Sequence, residues 1–242
     1  LPSNTILAGK TPWVTVDAAA SEGIFNFDHV GLKLDGLEIT APDGSLVKSE
    51  NNFAGKFRSS FDLALAQTGT YKLTLKLNSL FASYTENGQM KRWRGTPESF
   101  AKEVPANAKD LQVREAINHV DTFVSSGKPN TGAFKLRAKG LELAPITHPN
   151  DLVAGETASF RLMLDGQPAP AVAVEIIPSG IRYRDKLNNI NLITDKEGKF
   201  SIKWPGAGMY FLEASVKDKK VSAPMVQERS SNYSATFEVL SQ

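Results

Sequence analysis

Short runs of alternating apolar and polar residues, each closed by Gly, Pro, Asn or Asp, recur along the whole chain. Side chains on a strand point alternately to two faces. A period of two with frequent turn residues therefore predicts many short strands. Trp13, Thr15 and Asp17 alternate with Val14 and Val16. Leu37 and Ile39 lead into Pro42-Asp43-Gly44, a turn sequence. Phe57, Phe61, Leu63 and Leu65 share one face, and Tyr71, Leu73, Leu75 and Leu77 share the next. Asn87-Gly88 predicts a two-residue hairpin, because both positions take positive φ at low cost. In the C-terminal part, Asp165-Gly166-Gln167-Pro168 and Asp195-Lys196-Glu197-Gly198 separate further strands, and Ala235, Phe237 and Val239 share one side of the last.

One interruption is helical. Thr96 is a capping residue, Pro97 suits the first helical position and Pro105 closes the segment, which predicts one short helix. Residues 111–127 fit helix or strand, and β-branched and aromatic residues at Val120, Thr122, Phe123 and Val124 favour strand for the second part. Residues 126–140 form a Gly/Pro/Asn-rich connector. The expectation is a mainly β chain of two Ig-like or transthyretin-like Greek-key β-sandwich domains. Residues 1–137 form the first, with the one helix, and residues 138–242 the second. The stretch Gly140–Asp151 between them runs from a strand (Leu141, Leu143) into a His-Pro-Asn-Asp corner where loops of both halves could meet.

Bulk properties exclude several classes. With 22% charged residues, a net charge of +2 and dispersed basic residues, the chain lacks the footprint of a nucleic-acid binder. No apolar run approaches the roughly 20 residues of a membrane span, so no membrane insertion is expected. No cysteine is present, which removes thiol catalysis, thiolate metal sites and disulfides. The chain opens LPSNTILAGK without Met, which reads as trimming after a cleaved signal peptide or as some other truncation. GxSxG, the P-loop and GxGxxG are all missing, so a non-enzymatic protein is expected. A dispersed carboxylate pair, which needs no local motif, stays open as an alternative.

Two constellations could bind a ligand. His29, His119 and His148 are the three histidines. With Asp28, Asp121 and Asp151 they could converge on a transition metal, since imidazole suits Ni, Co or Fe and carboxylates complete a harder set. The alternative for each is a hydrogen-bonded structural histidine or an exposed one. Arg92 and Arg94 flank Trp93, and Arg182 and Arg184 flank Tyr183. On a strand each pair would share a face able to grip a carboxylate or phosphate, as in an anionic metal chelate. The alternative is a solvated face paired with Glu and Asp.

Several stretches resemble a known family. THPNDLVAGETASFRLMLDGQPAPAVAVEI (147–176), RYRD (182–185) and TDKEGKFSIKWPGAGMYFLEAS (194–215) carry the likeness in the second half. LPSNTILAGKTPWVTVDAA (1–19), DHV (28–30) and LFASYTENGQMKRWRG (80–95) carry it in the first. They are similar to a bacterial family of unknown function often labelled the periplasmic component of nickel/cobalt transport. The resemblance implies a periplasmic location and handling of a transition metal or its chelate in metal uptake. It also implies company with a membrane transporter or a TonB-dependent receptor. The expected function is thus a periplasmic binding or carrier protein for a metal ion or chelate. The alternative is a structural module docking on a membrane transport or receptor partner through a sheet edge.

Overall fold

A computed structural model describes residues 1–242. The strands are β1 (Ile6–Leu7), β2 (Trp13–Ala20), β3 (Val30–Gly31), β4 (Leu37–Thr40), β5 (Leu46–Val47), β6 (Glu50–Ala54), β7 (Ser59–Ala64) and β8 (Gly69–Lys76). After β9 (Ser79–Glu86) and β10 (Gln89–Gly95) come the helix α1 (Pro97–Glu103) and the long β11 (Lys109–Ser126). The second half holds β12 (Leu141–Pro145), β13 (Thr157–Leu164), β14 (Gln167–Pro168), β15 (Ala173–Pro178), β16 (Ile190–Ile193), β17 (Lys199–Lys203), β18 (Gly208–Asp218) and β19 (Glu228–Val239). The chain is mainly β, layered as packed sheets, with one α-helix; no helix is long and apolar enough to cross a membrane.

Local chemistry accounts for the turns. Asn87 and Gly88, both at positive φ, join β9 and β10 with Gln89 opposite Glu86. The Thr96 hydroxyl accepts from the Ser99 amide in a capping box, and Pro97 opens α1. The helical option for the start of residues 111–127 is overturned: Lys109–Ser126 is one strand. Its partners override local preference. β9 pairs with its first part and β8 with its end along one side, while β19 and then β1 run parallel to it along the other.

β11 is the spine of an 11-stranded sheet running β16-β15-β18-β19-β11-β8-β4-β5, with β1, β9 and β10 attached beside it. Strands from both halves of the chain therefore share one sheet. Two four-stranded sheets pack on it, one of β12, β13, β14 and β17, the other β3-β2-β7-β6. Phe123 joins the core formed with Leu141, Phe160, Phe200, Trp204 and Phe237. Its neighbour Val124 joins the other core, with Val14, Phe61, Tyr71 and Leu73. Adjacent residues of a strand point to opposite faces, so the two small sheets cover opposite faces of the shared one. A third cluster, Leu80, Ala82, Val104, Val113 and Val226, packs under α1, where Trp93 meets Phe100 edge-on at 5.3 Å.

Buried polar groups tie the halves at β11. Lys72 Nζ lies 3.1 Å from Asp121 Oδ2, both side chains at most 2% exposed. The Thr74 and Tyr233 hydroxyls donate to the same carboxylate.

Candidate functional site

The alternation of β19, in which every second residue is buried, leaves Asn232, Ser234 and Thr236 on a face that the C-terminal small sheet does not cover. Across that face β2 ends in Ala18-Ala19-Ala20, and the chain continues through residues 21–29 above it. The three small side chains leave space, and Ile24, Phe25 and Phe27 close over it. The result is a cavity of about 430 Å³, in which 18 of 25 lining residues are hydrophobic, so it suits an apolar body. Phe61, Leu73, Leu75, Ile177 and Phe211 are among the side chains that line it.

The covering loop is held by specific bonds. The Asp28 carboxylate accepts from the Glu22 amide at 3.0 Å and the Gly23 amide at 3.3 Å. The Arg58 guanidinium lies 5.2 Å from the centre of the Phe27 ring and 3.5 Å from the Asp17 carboxylate. Asp28, expected as a metal ligand, thus fastens the loop over the cavity, and the adjacent His29 is exposed.

A second, polar hollow of about 500 Å³ lies farther along the same face. Arg94 of β10, Arg114 of β11 and Lys217 of β18 border it, together with Asn118, Ser230 and Asn232. It shares Leu77, Val120 and Ser234 with the apolar cavity, so the two adjoin. None of the three cations is in an ion pair. The Arg94 guanidinium rests 5.2 Å over the Phe81 ring. The Asn232 side-chain amide donates to the Asn118 side-chain oxygen Oδ1 at 2.7 Å, which fixes the floor.

On the opposite flank, Glu175 and Glu213 face each other across β15 and β18. Partial burial of its carboxyl, and then the neighbouring Glu175, push Glu213 above the usual carboxylate range.

The structure does not assemble the histidine-centred metal site. No group of three His, Asp or Glu side chains is placed to hold an ion. His119 is buried and its Nδ1–H donates to the Leu141 carbonyl at 3.1 Å. His148 uses both ring nitrogens. Nδ1 accepts from the Asn150 amide at 3.1 Å, while Nε2 lies 3.0 Å from the Asn130 carbonyl and 3.0 Å from the Thr70 hydroxyl. A carbonyl can only accept, so Nε2 carries the proton and no lone pair is left over. Ser125, hydrogen-bonded to Thr70, stands six residues from His119 along β11, about 20 Å at the strand rise. Asp151 is exposed beside the corner, and Asp121 is committed to Lys72.

The arginine pairs divide. Arg92 and Arg94 share a face of β10, opposite Ser83 and Phe81, and Arg94 reaches the polar hollow. Trp93 points the other way and donates to Glu103 at 2.7 Å. The strand face expected at 182–184 is corrected to a 3-10 turn, Ile181–Tyr183, opened by Gly180 at φ 81°. Arg184 is consumed by the carbonyls of Pro178, Ser179, Lys186 and Leu187, while Arg182 and Tyr183 point into solvent. Four carbonyls aimed at one guanidinium close the turn, which a strand could not do.

The cavity residues escaped the sequence reading. A signal was present in three alanines ending an alternating strand, followed by the aromatic-rich Ile24–Phe27.

Among solved structures the chain is similar to the D0-D1 domain of intimin, at 14% identity over 98% of this chain and 95% of that one, with a TM-score of 0.24. It is also similar to a DUF3823 family protein from Bacteroides uniformis, at 12% identity over 94% and 99% of the two chains, TM-score 0.27. A marsupial T cell receptor matches at 12% identity over 100% of this chain and 72% of that one, TM-score 0.23. No curated protein matches. A family model matches residues 1–218, nine-tenths of the chain's length, and by it this chain belongs to the family described as Domain of unknown function (DUF4198).

Proposed function

We propose that this protein is a non-enzymatic carrier of a small organic guest with an apolar body, held under the residue 21–29 loop. The observation that carries this reading is the preformed cavity, roomy enough for a small ligand and lined mainly by hydrophobic side chains. A transition metal such as Ni, Co or Fe enters this reading as cargo inside the guest's own chelating shell. The imidazoles are already engaged or apart, so protein side chains are not asked to supply the donors. The family resemblance supports a periplasmic setting, with delivery to a membrane transporter or receptor. Residues 1–137 and 138–242 act in this reading as two sandwich units that share β11, with the guest beside their common sheet.

Displacement of a fluorescent apolar probe tests the proposal. Ala18, which lines the cavity, is replaced by Phe. The wild type should bind the probe, and Ala18→Phe should lose it while keeping its melting temperature within a few degrees. Ala20→Phe provides a second variant should the first unfold. Probe binding unchanged in a folded filled variant sinks the idea. Metal analysis before and after organic extraction tests the cargo: metal that stays with extracted protein contradicts transport as a chelate.

A second reading, a docking module for a membrane partner, draws on one observation. All five residues of the edge strand β6 are exposed, and Phe53 on it is 65% exposed. Retention of a membrane partner that Phe53→Lys abolishes and Ala18→Phe does not would favour it.

A further inference from the structure

We propose that the guest is an anionic amphiphile, with its apolar chain in the cavity and one anionic head in the polar hollow between Arg94, Arg114 and Lys217. This rests on the carrier reading and names the ligand class.

Adjacency comes first. Leu77, Val120 and Ser234 line both spaces, so the two adjoin, and one elongated molecule laid across these three side chains would reach both. Along β11 the cations begin at Arg114, six residues from Val120, and along β18 Lys217 is six residues from Phe211. At about 3.3 Å per residue each span is roughly 20 Å. Arg and Lys side chains shorten it by reaching back along the face, which leaves room for a medium to long acyl chain.

Charge comes second. Arg94, Arg114 and Lys217 converge from three strands and none has a carboxylate partner. The remaining charged groups limit the head. Glu115 accepts from the Ser222 amide at 3.1 Å, and Glu228 stands opposite Arg114 in register without pairing to it. Two carboxylates around three cations favour a single negative charge over a multiply charged one. Asn118, Asn232 and Ser230 offer a polar floor beside that charge.

The other flank argues against a cation. Glu175 already accepts from the Asn189 amide group, and Glu213 stands opposite Glu175 in the β15–β18 register. Partial burial and the neighbouring Glu175 push the Glu213 carboxyl above the usual range, so this flank is a poorer seat for a cation than two separate carboxylates would be. In the cationic hollow the cations outnumber the carboxylates by three to two, and no carboxylate is in an ion pair with them.

The test uses the intact protein and titration calorimetry at monomeric amphiphile concentrations. Dodecanoate, dodecyltrimethylammonium and dodecanol share a tail and differ in head. Dodecanoate should bind at least tenfold more tightly than the other two, and more weakly as salt rises. The Arg94→Gln/Arg114→Gln double variant should lose about tenfold for dodecanoate and nothing for dodecanol. A lysophosphatidate arm separates a lipid headgroup from a free carboxylic acid; tighter lysophosphatidate binding overturns the single-charge head. Equal binding of the three probes, or preference for the ammonium, overturns the anionic head while leaving the carrier reading intact. No binding of any probe, or binding that Ala18→Phe does not change, overturns both.

Discussion

Replacing Asp121 by Asn removes one charge from a pair that has almost no contact with water. Lys72 Nζ sits 3.1 Å from the carboxylate, and the two side chains are 2% and 1% exposed. The amide leaves the ammonium buried without a counterion. It also weakens the acceptor on which the Thr74 and Tyr233 hydroxyls converge. Breaking a buried pair from one side costs about 3–5 kcal/mol. For a chain of this size each kcal/mol moves the melting point by about 2–4 °C, so a drop of roughly 6–20 °C is expected. Calorimetry reads it directly. β11 belongs to both cores, so the loss should move one cooperative transition instead of splitting it. Lys72→Met should cost a similar amount. Lys72→Met/Asp121→Leu should cost less than the sum, since no charge is then stranded and only two hydroxyls, at about 1–3 kcal/mol each, lose a partner. A shift below about 2 °C for Asp121→Asn would refute the reasoning, as would two transitions of which only one moves.

His148→Ala should cost about 1–3 kcal/mol in urea denaturation, because Asn130, Thr70 and Asn150 each lose a partner, and should leave apolar-probe affinity unchanged. Lost affinity with full stability would return His148 to the site. Burial holds the imidazoles of His119 and His148 below their ordinary value, so the fold favours their neutral forms. Their contribution is complete above the unfolded pKa of about 6.5 and is lost as pH falls from there through the lowered folded values. Asp165 and Asp218, held low by Arg229, act in a separate and more acidic window, where stability falls as they protonate. The melting point should therefore decline in two stages on acidification, and His148→Gln should shrink the first; a single stage near pH 4 would contradict this. Gly36→Ala puts a methyl group 2.0 Å from the Lys76 carbonyl oxygen, where backbone must yield, and should cost about 1–3 kcal/mol by thermal melting, whereas no loss would mean that the end of the β4–β8 pair gives way freely.

Features decided within a few residues were legible in the sequence. Asn87-Gly88 takes positive φ, Thr96 and Pro97 start the helix, and Asp195–Gly198 closes a tight turn through the Gly198 amide and the Asp195 carbonyl. Pairing over long distances was not. β11 lies beside β19 in parallel, Arg114 opposite Glu228, and parallel neighbours have no connecting hairpin whose turn residues announce them. The residues of β11 mislead locally as well. Ser126 opens the stretch read as a connector but is buried in β11, because strands flank it on both sides. The corner at His148 was legible as a meeting point and not as chemistry. Asn150, two residues on, donates to the Thr5 carbonyl at 2.8 Å and the Ser125 hydroxyl at 3.0 Å, so the corner fastens the halves instead of presenting a ligand.

The location of the cavity follows from which face each small sheet takes. Phe123 and Val124 commit opposite faces of β11 to different partners, so neither small sheet covers the shared sheet along its whole width. On the N-terminal side, the face that carries Lys72 and Thr74 is closed by the buried Lys72–Asp121 pair and by the connector, where Arg137 bonds Glu38 and Glu142 accepts from the amides of Arg137 and Ala138. On the C-terminal side, the reverse face of β15, β18, β19 and β11 meets the residue 21–29 loop, with Leu1 and the end of β2, at one end. Polar residues such as Ser215, Asn232 and Ser234 then alternate with core residues on the same strands, which keeps the exposed remainder soluble. Apolar cover therefore meets an open polar sheet along one line, the one through Leu77, Val120 and Ser234. A guest that is greasy at one end and charged at the other is the molecule such a boundary selects. A fully apolar one would leave the cationic hollow to water, and a fully polar one would leave Phe25 and Phe27 with nothing to cover.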